Sequence, residues 1–118
     1  MWVQWQIWDV DWPHEDGTEK RRPAVLITPD DLIGSDDFLH FLKISTQFRH
    51  SRFRVDFPTT DPDFALTGLL KPSYLYADNV RRIPLSKIHR LRGFAAATLR
   101  ARLILLLRQR IRETGSVE

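Results

Sequence analysis

The chain has 118 residues, enough for one hydrophobic core and too few for a second, so a single domain over residues 1–118 is expected. It contains no cysteine, which excludes disulfides, thiolate metal sites and thiol nucleophiles, and its 42% apolar content with only 5 glycines excludes a disordered chain. The net charge of +3 conceals an asymmetry: Lys and Arg number 7 against 12 Asp and Glu over residues 1–63, and 11 against 3 over residues 64–118. The pI near 9.7 suits an anionic partner such as nucleic acid, and composition alone allows a merely soluble basic surface equally well.

The opening, MWVQWQIWDVDW, lacks a basic region followed by an apolar one, and the longest aliphatic run is Leu103–Leu107. No signal peptide or membrane span is expected, and the cytoplasm is the expected compartment. Within residues 2–12, Val3, Trp5 and Ile7 share one phase and Trp8, Val10 and Trp12 the other, predicting a strand whose facing switches at a bulge near Ile7. Residues 13–21 read as a polar loop, Ala24–Thr28 as a short buried strand and Pro29–Asp37 as a turn-rich connection.

Leu39–Thr46 and Phe53–Phe57 look like a strand pair, the second with Phe53, Val55 and Phe57 on one side and Arg52, Arg54 and Asp56 on the other. Ser73–Ala77 and Val80–Ile83 fit two further strands. Five or more short strands predict a mainly β, α+β fold, a small barrel or half-barrel. Ala96, Leu99, Leu103, Leu106 and Leu107 then recur at helical spacing, with Arg100, Arg102, Arg108 and Arg112 mostly off the stripe. A helix of roughly 18 residues would run about 27 Å across one barrel face. Ile104 and Leu105 lie beside that stripe, and core burial is preferred for them over a subunit contact.

No glycine-rich phosphate loop, G-x-S-x-G elbow or His-x-x-x-His pair occurs. His14, His40, His50 and His89 are scattered and read as surface or packing residues. Asp9 and Asp11 share a strand face that could seat a divalent cation, but with no third ligand they read better as solvated edge carboxylates. No metal or cofactor is expected.

Arg22 precedes Pro23, which favours extended backbone, and proline suits the first position of a strand. Its guanidinium is permanently charged and can grip phosphate oxygens in pairs. A phosphate contact and a surface ion pair are equally compatible with these facts. In KISTQFRHSRFRVDF, residues 43–57, two hydroxyls end an apolar strand and a basic loop containing Phe48 follows. They could hold an unstacked nucleotide, although satisfying backbone groups at a strand end is the favoured local reading for Ser45 and Thr46.

Three stretches in order resemble the PemK/MazF family of bacterial type II toxins: IWDVDWPHEDGTEKRRPAVLIT (residues 7–28), KISTQFRHSRFRV (43–55) and GLLKPSYLYADNVRRIPLSKIHRLRGF (68–94). The resemblance implies an SH3-like barrel, CcdB/PemK-like, with a C-terminal helix. It implies metal-independent cleavage of single-stranded RNA to 2′,3′-cyclic phosphate and 5′-hydroxyl ends by a homodimer. A cognate antitoxin would inhibit that dimer, and DNA would be met only through the antitoxin.

Carried onto this chain, Arg22 falls on the family's catalytic arginine and Ser45 on its catalytic threonine, with Thr46 the alternative hydroxyl. Glu19 or His14 would be the acid–base partner, and Lys20, Arg21, Gln47, Phe48, Arg49 and Arg52 would bind substrate. Trp5 stands where many members have glycine, and HEDGTEKRR departs from the Ser-Glu-Gln loop of the best-known members. Two other readings are open: a catalytically inactive RNA-binding or regulatory domain of the same fold, and a CcdB-like toxin that binds a topoisomerase.

Overall fold

The computed structural model describes residues 1–118. Six antiparallel strands and one helix follow in chain order: β1 (Gln6–Pro13), β2 (Glu19–Leu26), β3 (Phe38–Ser45), β4 (Arg54–Phe57), β5 (Ser73–Pro84), β6 (Ile88–Phe94) and α1 (Ala97–Thr114). Three short 3₁₀ turns, at Asp30–Leu32, Phe64–Thr67 and Leu85–Lys87, bend the connections. The strands form one sheet in the order β4-β5-β3-β2-β1-β6. β4 and β6 are its edges and do not pair, so the expected barrel is realised as an open one.

Both faces of the sheet are buried, by different partners. Ile7, Val25, Leu42, Ile44, Val55 and Leu75 point to the face covered by α1, where Leu99, Leu103 and Leu107 complete a cluster of 17 buried residues. The alternate positions Val10, Trp12, Ala24, Leu26, Leu39 and Phe41 form a second cluster of 7 with Ile83. The two phases read in residues 2–12 therefore persist along β1, each burying its own face, and the expected switch of facing near Ile7 does not occur. The bulges there belong to the pairing with β6, between Ile7 and Trp8 and between Asp9 and Val10.

Other expectations are corrected. Leu39–Thr46 and Phe53–Phe57 do not pair with each other, because β5 lies between them and bonds to both β3 and β4. The two strands expected at 73–77 and 80–83 are one strand, interrupted in register: Leu42 faces Val80 but Lys43 faces Tyr76, which leaves Ala77–Asn79 as a bulge. β6 was not foreseen. β2 begins at Glu19, inside the expected loop, and Pro23 is its fifth residue rather than its first. Pro23 is tolerated because β2 pairs with β3 only over Ala24–Leu26, so the missing N–H lies where that ladder has ended.

Three residues fix close or unusual backbone. A Cβ on Gly68 would lie 2.3 Å from the Arg92 carbonyl oxygen and one on Gly93 would lie 2.2 Å from that of Leu66, so both glycines let the 64–67 turn rest on β6. Trp5 has φ +75°, in the left-handed region that favours glycine. The helix was foreseen closely, but Leu105 is 67% exposed, against the core placement expected for it. No helix is long and apolar enough to cross a membrane.

Candidate active site

The site lies on the sheet face that α1 does not cover, at the end of the smaller cluster. A tight β1–β2 hairpin starts it: the His14 N–H donates to the Thr18 carbonyl at 2.8 Å and the Gly17 N–H to that of His14 at 3.0 Å. Asp16 accepts from the Thr18 hydroxyl at 2.6 Å and from the Thr18 N–H at 3.0 Å. Those two bonds, the hydroxyl's first, hold its carboxyl below the usual range.

Strand alternation in β2 then sorts the basic run. Lys20 and Arg22 continue the face of Ala24 and Leu26, whereas Glu19 and Arg21 take the other. Arg21 lies 3.7 Å from Asp11, and Glu19 is ion-paired to Lys87. Arg22 makes one side-chain hydrogen bond, to the Arg21 carbonyl at 2.9 Å, and forms no ion pair.

Where β2 diverges from β3, a pocket of about 360 Å³ opens, and His14, Lys20, Arg22, Lys43, Ser45, Thr46 and Gln47 line it over a floor that includes Trp12. No carboxylate is among its lining residues. The Ser45 hydroxyl accepts from the Gln47 N–H at 3.1 Å and caps the strand end, so the local reading holds and the side chain still borders the pocket. The His14 Nε2 is shielded from solvent and has no hydrogen-bond partner.

The loop after β3 is anchored from β5. The buried Tyr76 hydroxyl donates to the Gln47 carbonyl at 2.7 Å and accepts from the Arg49 N–H at 2.8 Å. Arg49 lies 4.6 Å above the Tyr76 ring and holds Asp78 at 3.0 Å, while Ser51 bonds the same carboxylate at 2.8 Å. Burial works to raise the Asp78 carboxyl, and the bonds from Arg49 and Ser51 outweigh it and leave it lowered. Arg52 is paired with Glu113 on α1 and stacks on Phe53 at 4.8 Å. Phe48 is half-exposed beneath Arg54 at 4.3 Å, with edge contacts to His50 and Tyr74.

Of the expected residues, the structure thus gathers Lys20, Arg22, Ser45, Thr46, Gln47 and His14 around one pocket. It places Glu19, Arg21, Phe48, Arg49 and Arg52 outside its lining. Asp9 is not a solvated edge carboxylate, whereas Asp11 is partly exposed and ion-paired. Asp9 is buried between Arg92, at 2.6 Å, and Arg90, at 3.4 Å, and Asp11 meets His89 at 3.0 Å. The hydrogen bond from His89 is the main reason the Asp11 carboxyl is lowered. Nowhere do three His, Asp or Glu side chains converge as a metal would need.

Sequence reasoning missed Lys43. The signal available was its place two residues before Ser45 on one strand, which puts both on one face. Burial lowers the Lys43 ammonium from its ordinary value, with Arg49 and Arg81 adding to the effect.

The fold has close structural counterparts. An endoribonuclease from a mycobacterial species, solved in complex with its cognate antitoxin, superposes with a TM-score of 0.71 at 14% identity, covering 92% of this chain and 93% of that one. The Mycobacterium tuberculosis toxin MazF-mt6 gives 0.67 at 22% identity, over 86% and 90% of the two chains. MazF from Deinococcus radiodurans gives 0.69 at 17%, over 92% and 94%. Among curated proteins no sequence relative matches. The family model described as PemK-like, MazF-like toxin of type II toxin-antitoxin system matches residues 3–114, and the chain belongs to that family.

Proposed function

We propose that this chain is the toxin of a type II pair and acts as an endoribonuclease on single-stranded RNA, with residues 1–118 as one catalytic domain. The observation that carries the reading is Arg22: a guanidinium with no carboxylate partner, bordering a pocket that also holds the Ser45 and Thr46 hydroxyls and two lysines. A surface ion pair, the other use of such an arginine, is taken by Arg21 instead.

RNA carries its own nucleophile, so the protein must align it, stabilise charge on phosphorus and move protons. The 2′-oxygen, losing its proton, bonds to phosphorus as the bond to the 5′-oxygen breaks, and the departing 5′-oxygen takes a proton from solvent water, leaving a 2′,3′-cyclic phosphate and a 5′-hydroxyl. A guanidinium stays protonated and cannot act as a base, so the role of Arg22 is to bind the phosphoryl oxygens as their charge grows. Ser45, with Thr46 beside it, orients the phosphate or the 2′-hydroxyl. His14 is the residue placed to take the 2′ proton, because it borders the pocket whereas Glu19 is tied to Lys87 on the opposite face.

One similar structure, mycobacterial, holds a cognate antitoxin, and two from D. radiodurans are MazE-MazF complexes. For this chain an acidic antitoxin segment would compete with RNA for the basic pocket of a dimeric toxin in the cytoplasm. The reading is tested with purified protein and end-labelled single-stranded RNA of mixed sequence in excess chelator. Cyclic-phosphate and 5′-hydroxyl ends are expected, with DNA and 2′-O-methylated RNA left intact. RNA that stays intact while binding would instead establish the inactive RNA-binding domain.

A further inference from the structure

Beside the Arg22 pocket lies a second depression of about 390 Å³, and the two share a partition made by Trp12, His14 and Lys43. Its far wall comes from β5 and carries Asn79 and Arg81. The bulge at Ala77–Asn79 allows this, since it steps the β5 register between Tyr76, opposite Lys43, and Val80, opposite Leu42. Arg81 faces Phe41 across the ladder, and Phe41 and Lys43 share a face of β3, so both cations project from the same side of the sheet.

Neither cation is paired. Lys43 and Arg81 form no ion pair, although Lys43 is half-buried and Arg49, Arg81 and Arg22 act on it with like charge. A partly dehydrated ammonium beside a guanidinium with no carboxylate in contact gains most from an arriving anion. Two carboxylates also border the depression: Asp16 accepts hydrogen bonds from Thr18 and keeps its charge, Glu15 acts on Lys43 with opposite charge, and neither forms an ion pair with Lys43 or Arg81.

We propose that Lys43 and Arg81 form a second phosphate subsite, so that the RNA is held by two successive phosphates, one at Arg22 and the next across the Trp12–His14 partition. This rests on the ribonuclease reading and adds to it a residue pair that sets how much single strand the site engages. A substrate carrying only the scissile phosphate would leave the second subsite empty and bind more weakly.

The test is the salt dependence of binding, read by fluorescence anisotropy with a short 2′-O-methylated single-stranded RNA of mixed sequence, which is not cut. On a single strand, every phosphate that the protein neutralises adds about 0.7 to the steepness with which log K falls against log salt. Lys43→Gln and Arg81→Gln should each make the slope shallower by about that amount and weaken affinity severalfold. Lys43→Arg should restore the slope, and Arg102→Gln, exposed on α1, should change nothing. Arg81 is exposed, so its variant reports even if replacing Lys43 disturbs folding. An unchanged slope in the Arg81 variant, or in a folded Lys43 variant, overturns the second subsite. The ribonuclease reading is judged separately: it survives that result if Arg22→Gln makes the slope shallower and the unmodified RNA is cut, and both ideas fall if the wild type does not hold the probe.

Discussion

Arg21 and Arg22 are adjacent in β2 and project to opposite faces of the sheet, Arg21 to Asp11 at 3.7 Å and Arg22 to a pocket without carboxylates. Strand pleating alone separates them: one guanidinium is neutralised across the β1–β2 ladder and the other is left for an anion.

Exchanging each for alanine should therefore have unequal effects. Arg22→Ala should lower the RNA cleavage rate on the order of 10²-fold or more, the usual loss for a charge-stabilising donor, with stability unchanged within about 0.5 kcal/mol. Arg21→Ala should leave cleavage near wild type and cost at most about 1 kcal/mol, as exposed ion pairs do. Cleavage rates and thermal unfolding of both proteins check this. Equal losses of activity would assign the effect to a diffuse basic surface.

Tyr76 sets the loop that follows Ser45. Tyr76→Phe keeps the buried ring and removes the bonds to the Gln47 carbonyl and the Arg49 N–H. Stability should fall by about 0.5–1.5 kcal/mol for each of the two part-buried hydrogen bonds lost, because the loop groups left behind can turn to water. The Arg49 amide should exchange its hydrogen faster while amides in β1 and β2 slow or hasten only with global stability. Uniform acceleration across the sheet would mean the hydroxyl does not act locally.

What the sequence made legible follows the range of the interactions involved. The helix showed in the spacing of Leu99, Leu103 and Leu107, and Arg22 stood out because Pro23 fixes its backbone; both signals lie within a few residues. The insertion of β5 between β3 and β4 could not be seen that way, because nothing local says which strand fills a long connection. Asp9 and Asp11 looked solvated for the same reason: their partners, Arg90, Arg92 and His89, arrive on β6 some 80 residues later. Lys43, flanked by Leu42 and Ile44, carries no local mark of a site, and only the fold shows that its face of β3 ends in a pocket.

Trp5 offers a test of backbone strain. Its N–H donates to the Leu26 carbonyl at 2.7 Å and its carbonyl accepts from the Ala95 N–H at 2.9 Å, so φ +75° is held from both sides. Trp5→Ala loses the packing of the indole on the larger cluster and keeps a Cβ in the left-handed region, whereas Trp5→Gly loses the packing and relieves the strain. The glycine variant should be the more stable of the two by about 1 kcal/mol, against the usual order of these residues. Denaturant unfolding of the pair checks it, and an alanine variant equal to or above the glycine one would show the strain to be negligible.

Asp9 is expected to be structural. Its carboxylate is buried against Arg92, whose guanidinium also donates to the Gly68 carbonyl at 3.1 Å. Asp9→Asn keeps the shape and removes the charge, leaving Arg92 uncompensated, a loss of about 3–5 kcal/mol where one partner of a buried pair is removed. Cleavage per folded molecule should stay near wild type. A stable variant that has lost activity would instead return Asp9 to the chemistry.

Lys43 should act against stability as it serves binding. Burial lowers its pKa in the folded protein below the ordinary 10.5, so the charged form is disfavoured by folding. Below the folded value that penalty is fully present, and there Lys43→Met should unfold at a higher temperature than the wild type. The difference should begin to narrow as pH rises through the folded value and level off only above 10.5, where neither state is charged. Inorganic phosphate at neutral pH should narrow it too, because an anion that binds the folded wild type stabilises it by mass action and has less to bind in the variant. A methionine variant that melts at or below the wild type, at neutral pH and without phosphate, would show that Lys43 carries no such cost and that its charge is met elsewhere.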